Sequence, residues 1–207
     1  PSAEVPHRFD RYPDNVVIEF THDPPELLAR WQTRQERFTS YVYWFGLYHP
    51  MGYGPKSSPE HVASEMRRHR AAGSEAFFFC GGGECWGTEA PSYYVTAEML
   101  RDPSRDEKTL VREFCSGLFG AAGPTMERYF SSFMAAGDEY ARFTQAEPVD
   151  GQPFVGESRT PAEVLLHCFD AERLEECGRL LGQAAQEAPD DAARTRIGFF
   201  RDGFDYV

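Results

Sequence analysis

Between Gly81 and Pro91 the chain sets two carboxylates and an indole among glycines: Gly81-Gly82-Gly83-Glu84-Cys85-Trp86-Gly87-Thr88-Glu89. Glycines let a backbone approach a ligand closely. A carboxylate supplies proton transfer or a nucleophile, and a flat aromatic face stacks against the C–H groups of a pyranose. Glu84 is therefore the candidate catalytic residue, its alternative being a solvated loop carboxylate, and Trp86 is its candidate stacking partner. Glu89 is a candidate substrate contact whose alternative is to begin a helix with Pro91, where negative charge is favoured. Two other loops carry similar chemistry. Thr21 to Pro25 offers His22 and Asp23, with Glu19 just before them, and His49 to Ser58, with Tyr48 just before it, offers His49 and Tyr53 among glycines. Glu19, His22, Tyr48, His49, Tyr53, Trp86 and Glu89 make up the candidate substrate-binding set.

Glu19 sits in an apolar run, where an unpaired charge is costly. It either lines a solvated mouth or pairs with an arginine of a neighbouring strand. His22-Asp23 lacks a third ligand at matching spacing, so no metal is expected, and no cofactor motif is present. Strand alternation puts Tyr43 and Trp44 on opposite faces, so one of them is core. His7, His61, His69 and His167 read as surface or packing residues.

These loops need elements to hold them. Val16 to Phe20, Tyr41 to Tyr48 and Ala76 to Cys80 are short apolar or aromatic runs on both parities, as in parallel strands covered on two faces. Helical spacing predicts helices over Glu26 to Phe38 and Pro59 to Ala72, the second stopped by Gly73. The order strand–helix–strand–helix–strand–helix implies βαβ units, and the three loops fall at strand C-terminal ends. Beyond Cys80 helices dominate: Ser92 to Leu100, Lys108 to Phe119, Pro124 to Ala136, Ala171 to Ala188 and Asp190 to Phe204. Gln145 to Thr160 reads as a surface connection. The division expected is a βα portion over 1–105 and a helical region over 106–207 packed on it. A closed barrel needs eight strands. Three units are thus a small open sheet, or the last three βα units of a (β/α)8 TIM-type barrel whose earlier units would lie N-terminal to this chain.

Composition narrows the partners. Of 207 residues, 41% are hydrophobic and 14% aromatic, enough for a packed core. The formal charge of −12 repels polyanions, so nucleic acid is not expected. No apolar run is long enough to span a bilayer, so no membrane partner is expected either. Five cysteines at irregular spacing do not form a disulfide framework and read as buried thiols. The chain begins Pro-Ser-Ala-Glu-Val-Pro and shows no signal pattern, which leaves the compartment open.

Several stretches in order carry a family resemblance. They are Tyr12-Pro13-Asp14-Asn15-Val16-Val17-Ile18, then Trp31, the aromatic run Tyr41-Val42-Tyr43-Trp44-Phe45, Ala72-Gly73, and the Gly/Glu-rich loop. Tyr93-Tyr94-Val95-Thr96-Ala97-Glu98-Met99-Leu100-Arg101-Asp102-Pro103 follows, with Glu113-Phe114-Cys115, Leu118-Phe119-Gly120-Ala121-Ala122 and Arg194-Thr195-Arg196-Ile197. This order resembles the bacterial domain-of-unknown-function family 4838, whose members look like glycoside hydrolases similar in architecture to α-glucuronidases and hexosaminidases. Met99-Leu100-Arg101 departs from the Leu-Leu-Trp frequent there. The resemblance implies the later part of a catalytic module acting on an oligosaccharide or glycoside through paired carboxylates. One of the pair would lie outside this chain, and the missing barrel half or self-association would cover the sheet. A non-catalytic carbohydrate-binding or scaffold role, or a standalone small α/β domain, are the alternatives.

Overall fold

In the computed structural model, which describes residues 8, 10–21, 25–45, 53–145 and 161–207, three strands alternate with helices before the chain turns helical. The strands are β1 (Ile18–Phe20), β2 (Phe38–Val42) and β3 (Ser74–Phe79). Both neighbouring pairs are parallel, in the order β1-β2-β3. Helices α1 (Pro25–Gln32) and α2 (Pro59–Ala71) make the crossovers, and α3 (Trp86–Arg101) and α4 (Glu107–Phe119) follow. A short turn of 3-10 helix leads to α5 (Gly123–Gln145), α6 (Pro161–Cys168), α7 (Ala171–Glu187) and α8 (Asp191–Asp205). The chain is thus a mixed α/β protein, with 65% of the described residues helical and a small parallel sheet.

Local chemistry explains most helix starts. Ser58, Asp106, Asp170 and Asp190 each accept a hydrogen bond from the N–H three residues on, satisfying a donor that a helix start leaves unpaired. Several boundaries differ from expectation, two of them around β2. Phe38, expected on a helix, begins β2: Phe38, Ser40 and Val42 alternate onto the buried side. The aromatic run after Val42 was expected to continue as strand. Instead Trp44 and Phe45 leave the sheet and pack on Phe79, and Phe45 also meets Tyr93. Residues 46–52 lie outside the described set.

The third difference is in α3, expected from Ser92 but beginning at Trp86 with Pro91 inside it. Proline has no N–H, so the Gly87 carbonyl one turn earlier loses its helical donor. The backbone of α8 packs there: a Cβ on Gly203 would sit 2.6 Å from the Gly87 carbonyl oxygen.

Three clusters form the core. One joins β1 and β2 to α1 through Phe20, Leu28 and Phe38. A second lies between the sheet and α2, α3 and α4, around Val62, Met66, Val95, Met99 and Leu110. The largest holds α4, α5, α7 and α8 together through residues such as Phe119, Phe130, Leu181 and Phe200. Tyr94 and Val111 pack against both of the last two. All five cysteines are free thiols, and burial pushes the Cys115 thiol up to about 12.

At the β2–β3 register irregularity a polar chain is buried on the helix side. The Arg68 guanidinium, which only donates, lies 2.9 Å from His69 Nε2, so Nδ1 carries the ring proton and donates to Ser40 Oγ at 2.7 Å. Ser40 donates to Ser74, and Ser74 to the Ala76 carbonyl.

Candidate functional site

Among the described residues, the sheet turns one face to the helices and leaves the other open. Glu19, Tyr43 and Phe78 are exposed on that open face, and Tyr41 stacks on Phe78 at 4.5 Å. Hydrogen bonds to Cys80 and then Tyr43 raise the Tyr41 pKa above its ordinary value. Parallel sheets are ordinarily covered on both faces, so an aromatic open face is unusual.

At the C-terminal ends of β2 and β3 the loops converge. Gly81 (φ 73°) and Gly83 (φ 90°) take left-handed backbone conformations and turn the chain off β3. This leaves Glu84 exposed and brings Trp86 to the start of α3, 49% exposed, with its ring 5.1 Å from Tyr93 at 68°. Tyr53, also half-exposed, meets Tyr206 after the end of α8 at 5.4 Å.

Glu89 is placed differently. It is 0% exposed in the first turn of α3, where its carboxylate accepts the Tyr93 hydroxyl at 2.7 Å and the Lys56 backbone N–H at 3.1 Å. Burial first, then the Glu89 charge and hydrogen bond, push the Tyr93 pKa well up. The Cys85 N–H donates to the same hydroxyl at 3.2 Å, so Glu89, Tyr93 and Cys85 form one enclosed group beneath Trp86. Burial also pushes the Cys85 thiol up to about 11.

On the β2 side, the described loop residues leading into α2 are 53–58. Ser57 donates to the Trp44 carbonyl at 2.9 Å, and its own carbonyl accepts Ser92 at 2.7 Å. Ser58 caps α2 and donates to Asp138 of α5 at 2.7 Å. Beside it Gly137 permits a backbone contact, since a Cβ there would lie 2.8 Å from Lys56 carbonyl atoms. A cleft of about 350 Å³ opens nearby between the start of α2, α4 and α5, lined by both signs of charge, among them Lys108, Glu127 and Asp138.

Of the candidate residues, Glu84, Trp86 and Glu89 are therefore neighbours, with only the first two presented to solvent. Tyr53 stands on an adjoining loop, and Glu19 is exposed on the open sheet face opposite Thr39 in register. His22, Tyr48 and His49 lie outside the described residues. Lys56, Tyr93 and Tyr206 were not foreseen. The i, i+4 spacing of Glu89 and Tyr93 would have revealed that pair had Pro91 not been taken as a helix start. Among the described residues no group of three potential metal ligands comes together, and no helix is long and apolar enough to cross a membrane.

Comparison with known proteins matches the family model described as a domain of unknown function (DUF4838) over residues 12–131. No curated protein and no solved structure matches.

Proposed function

The chain belongs to the family described as a domain of unknown function (DUF4838), and from that premise we propose that it forms sugar-contacting strand ends of a glycoside-hydrolase-like module. The observation that carries this is the presentation of Glu84 beside a half-exposed Trp86, on a glycine turn at the C-terminal end of a parallel strand. That is where (β/α) barrels place their chemistry. In this proposal Glu84 is the catalytic carboxylate, Trp86 and Tyr53 stack on the sugar, and Glu89 is a positioning residue that braces Tyr93 beneath Trp86. Glu89 is sealed, so the second carboxylate of a hydrolytic pair comes from elsewhere in the module.

The same sealing favours a second role, carbohydrate binding without cleavage, because it leaves Glu84 without an exposed partner in its own loop. Titration with a panel of oligosaccharides and turnover of nitrophenyl glycosides separate the two. Trp86→Ala should weaken binding about tenfold, and Glu84→Gln should retain binding while losing about a hundredfold or more in rate. Trp86-dependent binding without turnover would select the non-catalytic role, and no binding of any saccharide would sink both.

We extend the proposal to the barrel itself. Among the described residues both β1 and β3 are edges and the open face carries Tyr41, Tyr43 and Phe78. Further βα units would cover that face and pair those edges, as closed sheets do. The 207-residue chain alone should therefore self-associate in sedimentation equilibrium, and the double change Tyr43→Lys, Phe78→Lys should shift it to monomer. A wild-type chain that stays monomeric at high concentration would remove the barrel proposal.

A further inference from the structure

Segment 55–58 is held more firmly than a connection between a strand and a helix requires. Glu89 holds it from α3 and Asp138 from α5, while Trp44, Ser92 and the close approach of Gly137 fix its middle. Yet the bond that fixes Lys56 uses its backbone N–H, which any residue other than proline supplies. None of the hydrogen bonds in that framework uses the lysine side chain. Composition sharpens the point. The sequence has two lysines, Lys56 and Lys108, so its 21 basic residues less these two leave 19 arginines. Many described arginines pair with carboxylates, as Arg37 does with Glu75 and Arg105 with Glu98 and Glu113.

Lys56 is half-buried, and its ammonium makes no hydrogen bond or ion pair with the described residues. Burial lowers its pKa, against the opposing pull of the Glu89 charge. Glu89 itself is already engaged by the Lys56 N–H and the Tyr93 hydroxyl. A half-buried lysine with unused ammonium donors suits an incoming oxyanion, because charge-assisted hydrogen bonds are strongest where water is partly excluded.

We propose that Lys56 is a binding residue for an anionic group, a carboxylate or phosphate, carried by the ligand of the strand-end site. That the anion is borne by a sugar rests on the proposed function; the anion site itself does not.

The two lysines make a direct test available. Reductive methylation with ¹³C-formaldehyde keeps each ammonium charged and gives Lys56 and Lys108 separate methyl signals in NMR, with exposed Lys108 as internal control. The probes are sodium acetate, inorganic phosphate, glucose, galacturonate and glucose 6-phosphate. The expected result is a saturable shift of the Lys56 signal with galacturonate or glucose 6-phosphate, at concentrations where glucose and Lys108 are silent. Which acidic sugar acts at lower concentration identifies the anion. Lys56→Gln should weaken that binding about tenfold or more. Acetate or phosphate shifting Lys56 as well as the acidic sugars would keep the anion site and remove the sugar reading. Glucose binding as tightly as the acidic sugars, unchanged in Lys56→Gln, would overturn the anion site and leave the sugar reading standing. A silent Lys56 signal, or equal shifts at both lysines, would also overturn it without any variant needing to fold.

Discussion

Gly203→Val is expected to lower stability by about 3 kcal/mol or more, the cost of forcing atoms into a filled contact. The atoms that a side chain at 203 would meet are backbone: the Gly87 oxygen at 2.6 Å, its carbonyl carbon at 2.8 Å and its Cα at 2.9 Å. No rotamer change relieves such a clash, so α8 must move off α3. That movement also disturbs Ile197 and Phe200, which are buried in the largest core cluster. For a chain of this size the loss corresponds to a fall in melting temperature of about 6–12 °C. Gly198→Ala, on the same helix, is the control. A Cβ there meets nothing within 4 Å, so the change should stabilise the helix by about 0.5–1 kcal/mol. Thermal melts of the two variants decide the matter. Equal melting temperatures would show that the α3–α8 contact is looser than drawn.

The second large effect is expected at Glu89. Glu89→Leu removes the acceptor of both the Tyr93 hydroxyl and the Lys56 N–H, and leaves the Lys56 ammonium without the carboxylate that offsets its burial. Leaving two enclosed donors without an acceptor costs about 2–5 kcal/mol. Glu89→Gln keeps an acceptor oxygen and the side-chain shape, so its loss should be smaller, about 1–3 kcal/mol. Urea denaturation measures both. Because Tyr93 braces Trp86 edge-on, the Leu variant should also change indole emission in the folded protein. A loss under about 1 kcal/mol for Glu89→Leu would show that the enclosed group contributes little, and Glu89 would lose its positioning role.

The two changes touch the candidate site from opposite sides. Glu89 braces it from beneath through Tyr93, and α8 bounds it laterally, through Gly203 against Gly87 and Tyr206 against Tyr53. The helical region thus contributes to the strand-end loops as well as to its own core. Asp138 and Gly137, beyond the residues matched by the family, hold segment 55–58 in the same way.

Much of the architecture was written locally. Apolar runs on both parities predict parallel strands, and the alternation with amphipathic stretches predicts right-order βα units. Caps at Ser58, Asp106, Asp170 and Asp190 announce helices because a short polar side chain satisfies an N–H three residues on. The glycine-rich loop after β3 that carries Glu84 and Trp86 could be read from the sequence alone, since left-handed turns favour glycine. Where local signals misled, competing interactions prevailed. Phe38 fits a helical stripe as well as a strand end, and burial against Phe20 selected the strand. Pro91 signals a helix start, yet the packing of α8 at the Gly87 carbonyl accompanies a helix that begins five residues earlier.

What the sequence by itself determined is therefore the kind of unit, its order and the chemistry its loops carry, because those depend on neighbours a few residues apart. Which carboxylate faces water and which is enclosed was decided only in three dimensions. Glu84 and Glu89 share one loop in the sequence, but Glu89 turns inward because Tyr93 and the backbone of a residue 33 positions away supply its donors. Lys56, Gly137 and Gly203 carry no local mark either, since a close backbone contact or an unused ammonium exists only once separate elements have packed.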